Sequence, residues 1–169
     1  MLKNRGTAWL ISIVIMIVSV PLGATLSFRS MRADVVEVFR AEAEPLLWEQ
    51  LQMVHNIMMI YEMNANTPET WPRERVERLQ TGIERADPHI LNTGSDDGAV
   101  VAASRIREHA NNLGIGTNES LRINSFMTDI EELQLILRQS DYNRLAREFN
   151  EATWRGLGHI AIVRRLPEF

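Results

Sequence analysis

The chain has no cysteine. That excludes a disulfide framework, a thiolate metal site and a cysteine nucleophile. Glycine and proline are scarce, at 9 and 6 of 169 residues, and with 45% hydrophobic residues this excludes a largely disordered chain. Acidic residues are missing from residues 1–30, where Lys3, Arg5 and Arg29 give a charge of +3. Residues 31–169 hold 15 basic and 22 acidic side chains, a balance of -7. The overall charge of -4 therefore averages two unlike parts. With the larger part acidic, nucleic acid is not an expected partner.

Between Arg5 and Arg29 run 23 residues without a charge, including the unbroken Ile13-Val14-Ile15-Met16-Ile17-Val18. About 20 such residues cross a hydrocarbon core of about 30 Å as a helix, which satisfies its own backbone hydrogen bonds in lipid. Trp9 and Phe28 stand near the two ends, where aromatic rings favour the interface. Pro21 is tolerated in a spanning helix, where it can introduce a kink. A cleaved signal peptide is the rival reading, with Gly23-Ala24 as the small residues. It is disfavoured because Leu22 then occupies a position that wants a small side chain, and because the apolar run is long for a signal core. The expected organisation is a basic tail over 1–6, a membrane anchor over 7–28 and a helical domain over 30–169. Arg29 and Arg32 nearly balance Lys3 and Arg5, so positive charge hardly orients the anchor. The preferred arrangement is a single-pass cell-membrane protein with its short basic tail in the cytoplasm and its helical region outside.

After the anchor, Leu47, Leu51, Val54, Met58 and Tyr61 recur at a 4-3-4-3 spacing and predict one apolar helix stripe within Ser30–Met63. Pro45 predicts a kink or a fresh helix start near Ala43. Asn64-Ala65-Asn66-Thr67-Pro68 is turn chemistry. A shorter helix is expected over Pro72–Ala86, with Thr70 as its cap and Val76, Leu79 and Ile83 on one face. Asp87-Pro88 ends it, and residues 92–98 read as a loop. Ala99, Ala103, Ile106, Ala110 and Leu113 mark the next helix, which Gly114-Ile115-Gly116 stops. Phe126, Ile130, Leu133 and Leu137 mark another, and a last helix holds Tyr142 to about Arg155, with Gly156 and Gly158 beyond it. No set of alternating strands is present. The fold class is therefore all-α: an N-terminal transmembrane helix followed by an antiparallel helical bundle with long helices.

Side chains that carry chemistry are thinly spread. His55, His89, His109 and His159 form no HExxH and no i,i+4 pair, and adjacent Glu108 and His109 point to different helix faces. Gly94-Ser95-Asp96-Asp97-Gly98 lacks the alternating carboxylates and final Glu of a calcium loop and reads as a turn leading into a helix. Glu131, Glu132, Glu148 and Glu151 fall on solvent faces. The alternating charges from Arg73 to Arg78 describe an exposed helix. Met53, Met58, Met59 and Met63 read first as core filling and second as an adaptable groove. No catalytic, cofactor-binding or metal residue is assigned, and no cofactor is expected. Convergence of His55, His109, Glu62 and Glu132 would be the sign of a hidden enzyme.

The most distinctive segment is Asp141–Asn150, which carries an aromatic-Asn dipeptide twice, seven residues apart. A heptad returns both pairs to nearly one helix face. Tyr142 and Phe149 are thus expected to be buried, and Asn143 and Asn150 to hydrogen-bond a neighbouring helix or a loop backbone.

With the anchor and the apolar tail, this segment resembles the LemA family of bacterial membrane proteins, whose motif is a Tyr-Asn followed by a Tyr/Phe-Asn on a late helix. Here it stands as Tyr142-Asn143 and Phe149-Asn150. The start Asn4–Leu10 and the post-anchor Ser27–Arg32 are also similar to one branch of that family. The tail Gly156–Ile160 departs from it in lacking the usual proline-containing stretch, and residues 64–118 are richer in loops. The resemblance implies a membrane helix carrying a long-helix bundle and supplies no catalytic residues. The function expected is a non-enzymatic, membrane-anchored scaffold or interaction module. Its expected partners are the lipid bilayer and other proteins, with self-assembly allowed by any exposed stripe. The alternative is a membrane-tethered sensor or binding protein for a lipid or small hydrophobic ligand.

Overall fold

Pro45 lacks the N–H that a helix would bond to Ala41, and its ring would press on that carbonyl. The chain absorbs the mismatch without breaking. In the computed structural model, which describes residues 2–92, 94–155 and 163–169, helix α1 (Leu2–Val38) widens into one π turn over Phe39–Ala43 and continues as α2 (Glu44–Asn64). In that turn the Glu44 N–H bonds back to the Phe39 carbonyl, five residues away, and Pro45 then occupies the first turn of α2, where no donor is needed. The three pieces form one helical rod of roughly 95 Å at about 1.5 Å per residue. The anchor and the first bundle helix, expected as separate units, are thus joined with no loop between them. Helix α1 also runs through Pro21, whose carbonyl accepts from Thr25 Oγ1 at 2.8 Å.

Five further helices follow among the described residues: α3 (Trp71–Arg85), α4 (Pro88–Leu91), α5 (Ala99–Asn112), α6 (Thr117–Gln139) and α7 (Asp141–Arg155). Among the described residues there is no strand, so the molecule is an all-α helical bundle. The α2 stripe predicted from spacing is buried in full: Leu47, Leu51, Val54, Met58 and Tyr61. Helices α3, α5 and α6 pack around it, while α7 packs on the upper part of α1 and on the π turn. The turn before α4 is left-handed at Ala86, and the Asp87 carboxylate caps α4 through the His89 N–H at 3.0 Å. Gly82 is required in α3, because a Cβ there would lie 2.7 Å from Ile90 Cγ2. Thr70 stands at the N-terminus of α3 but makes no side-chain cap.

Three expectations need correction. On α6 the buried face is Ile123, Met127, Ile130 and Leu137, whereas Phe126 and Leu133 are half-buried. The stripe centre lies beside the one read from spacing: Met127 is in the core, and Phe126 packs against it from the edge. On α5 Leu113 is exposed, past the last turn. Of the α2 methionines only Met58 is core, Met53 is half-buried, and Met59 and Met63 face outward. Gly156, Gly158 and His159 lie outside the described residues.

Candidate functional site

Helix α7 starts with two borrowed acceptors. Ser140 Oγ accepts the Asn143 N–H at 3.2 Å, and the Glu42 carboxylate on the π turn accepts the Tyr142 N–H at 3.1 Å. Both satisfy donors that a helix start leaves open, and Glu42 adds negative charge where the helix dipole favours it. This fixes α7 against the rod. Tyr142 and Phe149 are both fully buried, as the heptad spacing predicts. Tyr142 meets Phe39 edge-on at 5.1 Å between ring centres, and Phe149 meets Phe28 at 6.5 Å. The two aromatics thereby bolt α7 to the rod at two points, the upper end of the apolar run and the π turn.

Asn143 and Asn150 both hold the backbone of the tail, and Asn143 also bonds across to helix α6. Asn150 Nδ2 donates to the Leu166 carbonyl at 2.9 Å, and its Oδ1 accepts the Leu166 N–H at 3.0 Å. Asn143 does the same for Phe169, at 2.9 and 2.8 Å, and its Nδ2 also covers the Arg138 carbonyl near the end of α6 at 3.0 Å. The Tyr142 hydroxyl donates to the Pro167 carbonyl at 2.9 Å, and Asn92 Oδ1 accepts the Glu168 N–H at 2.7 Å. The spacing has a simple cause. Seven residues rise about 10.5 Å along a helix, and three extended residues span about 10 Å. Each amide therefore meets every third residue of a strand-like segment running antiparallel to α7. Leu166, Pro167 and Phe169 are buried beneath this clamp.

The clamp also ties the tail to the rod and to α4. Arg32 Nε donates to the Arg164 carbonyl at 3.1 Å, and the Arg164 guanidinium pairs with Asp87. Burial alone would raise the Asp87 pKa, but the Arg164 and His89 hydrogen bonds outweigh it and leave the carboxyl below its ordinary value. Burial pushes the Tyr142 phenol well above its ordinary range. Family models, curated proteins and solved structures give no match to the chain.

The titratable groups singled out from sequence are engaged elsewhere or exposed. Glu62 accepts two hydrogen bonds from Arg73, at 2.6 and 2.9 Å, and they hold its pKa down. His109 lies against Trp71 at 5.0 Å, while His55 and Glu132 are exposed. Asp97 in the 94–98 loop is taken by Arg75 and Arg78, at 3.0 and 3.1 Å. Among the described residues no three His, Asp or Glu side chains gather where they could hold a metal ion. Sequence reasoning missed Glu42, Asn92 and the tail backbone as the clamp's other members. The signal was present in Leu166-Pro167-Glu168-Phe169, whose apolar residues three apart match the seven-residue spacing of the asparagines.

Proposed function

We propose that this chain is a non-enzymatic bacterial protein of the cell membrane, a single-pass anchor carrying a helical bundle that serves as a scaffold or interaction module, as the resemblance to the LemA family implies. One observation carries the reading. The apolar side chains from Val14 to Val18 are each more than half exposed, with no part of the bundle over them, on a helix that continues unbroken into the core. A patch of that size is kept out of water by lipid or by protein. This helix is long and apolar enough to cross a membrane near the N-terminus. The clamp supports the same reading, because it fastens α7 and the tail onto α1 just above the apolar run. Whatever docks on the bundle is then held at a fixed distance from the bilayer.

Exposed Leu135 and Ile136 on α6, with Met59 and Met63 on α2, are the surfaces where protein partners are expected. Photo-crosslinking from position 135 in intact membranes should give discrete adducts, and position 84 on α3 should not. Equal, diffuse labelling at both positions would remove the scaffold reading. Release of the full chain by carbonate washing would remove the anchor. Cleavage of residues 30–169 by protease added to whole cells should follow from their placement outside the cytoplasm.

A further inference from the structure

Residues 31–169 carry a charge of -7, yet the end of the bundle beside the apolar run is basic. Helix α7 packs on α1 in the opposite direction, because Tyr142 meets Phe39 and Phe149 meets Phe28. Trp154 and Arg155 therefore lie past Phe28 on the side of the apolar run, by roughly 7.5–9 Å at about 1.5 Å per residue. The tail stands beside them: Arg32 Nε donates to the Arg164 carbonyl at 3.1 Å, and the Arg165 guanidinium lies over the Trp154 ring at 5.1 Å. At this end Arg155 pairs with Glu151 at 3.3 Å and Arg164 pairs with Asp87. Arg29, Arg32 and Arg165 pair with no carboxylate among the described residues. The carboxylates of Asp34 and Glu37 stand further up α1, away from the apolar run.

Unpaired arginines alone would describe a solvated surface. Trp154 is the second observation. It is 60% exposed, and tryptophan is enriched where a bilayer meets water, since its ring is apolar and its N–H polar. A guanidinium stacked on such a ring keeps its N–H fork free for phosphate oxygens. Trp154, Arg155 and Arg165 also line an open pocket between α7 and the tail, whose acids Glu151 and Glu168 are engaged by Arg155 and Arg147. We propose that this end of the bundle docks on anionic phospholipid headgroups of the bilayer that holds the anchor. Trp154 enters the interface, and Arg29, Arg32 and Arg165 take the phosphates. Continuity with the apolar run favours a headgroup over an acidic protein, because the anchor already holds these side chains at the lipid surface. The inference rests on the anchor reading and adds to it the lipid class that the bundle recognises.

The chain has no cysteine, so Thr153→Cys gives one site for a fluorophore near Trp154, and Glu84→Cys on α3 gives a control. The full chain is reconstituted in phosphatidylcholine vesicles with or without about 30% phosphatidylglycerol, each carrying a headgroup-nitroxide lipid as quencher. Quenching at position 153 should be at least about twofold stronger with the anionic lipid at about 0.1 M salt. The difference should vanish at about 1 M salt, where the Debye length is about 3 Å. Arg29→Gln with Arg165→Gln should remove the lipid preference, and Trp154→Ala should weaken quenching in both lipids. These side chains are exposed, so the melting temperature should not change. If Trp154→Ala does lower it, the arginine pair decides alone. A chain that floats with the vesicles but is quenched equally in both lipids, or equally at positions 153 and 84, overturns the proposal. So does an arginine double variant that keeps the preference. A chain that does not float with the vesicles removes the anchor reading and this inference with it.

Discussion

The lower and upper halves of the helical rod are both rich in aliphatic side chains, yet they keep them in opposite places. Between Ser12 and Leu26 the large apolar residues are exposed, Ile17 at 65%, whereas Val54 and Ile57 on α2 are fully buried. The difference is one of pattern. Ile13 to Val18 is apolar on every face, and among the described residues no other helix covers it. Helix α2 interrupts its apolar residues with Glu49, Gln52, His55 and Glu62, which leaves one stripe that α3, α5 and α6 can cover. Hydrophobicity thus marks both halves for removal from water, and periodicity decides whether one face or every face must be covered.

The comparison breaks most severely at the bolt between the halves. Phe149→Ala should cost roughly 3–5 kcal/mol of bundle stability, read as a lowered melting temperature, whereas Ile17→Ala should leave that melting unchanged. Ile17→Arg should act only on the lower half. A charge at mid-span costs about 2.5–3.5 kcal/mol of insertion, so the variant should shift toward the carbonate-soluble fraction. Asn150→Ala leaves the buried N–H and carbonyl of Leu166 without partners and should cost roughly 2–3 kcal/mol. Faster hydrogen exchange at Leu166 would show that the loss is local to the clamp. Asn150→Asp keeps the acceptor for the Leu166 N–H but sets a carboxylate beside Glu168, so it should be destabilising too, and more so at neutral than at acid pH.

Effects of pH sharpen the same contrast. Asp87 has a lowered pKa in the folded chain, so its pairing with Arg164 contributes stability above its unfolded value of 3.8. That contribution is lost as pH falls through the lower folded value. Hydrogen exchange in residues 163–169 should rise there before exchange in α2 does. Tyr142 has a raised pKa, so its contribution is complete below the ordinary value of 10.0 and is lost only as pH climbs toward the folded one. Its phenolate absorbance should appear together with unfolding and not ahead of it. The smallest expected change is at Gln50. Gln50→Leu removes an unpaired buried oxygen together with two donated hydrogen bonds, so stability, read from the melting temperature, should change by no more than about 1 kcal/mol in either direction.

Much of the helix order was legible, since amphipathic spacing located α2, α3, α5, α6 and α7 and turn residues separated them. The α6 face was misread because Phe126 and Met127 are apolar neighbours, and spacing alone does not say which turns inward. The helix start expected near Ala43 is present, with α2 beginning at Glu44, but the π turn that leads into it is a backbone choice that leaves no trace in side-chain pattern. The heptad of Tyr142-Asn143 and Phe149-Asn150 announced a shared face, but the asparagines' partner was a segment with no periodicity of its own.

By itself the sequence determined which residues must leave water and with what period. An uncharged run of 23 residues has one way to satisfy its backbone in lipid, and striped helices must cover one another. The tertiary structure decided the pairing: that the tail lies under α7, that Glu42 caps that helix from the rod, and that Gln50 is buried against α6 with one oxygen unpaired. Those outcomes depend on polar atoms meeting at about 3 Å across many residues of chain, and local spacing does not encode a distance of that kind.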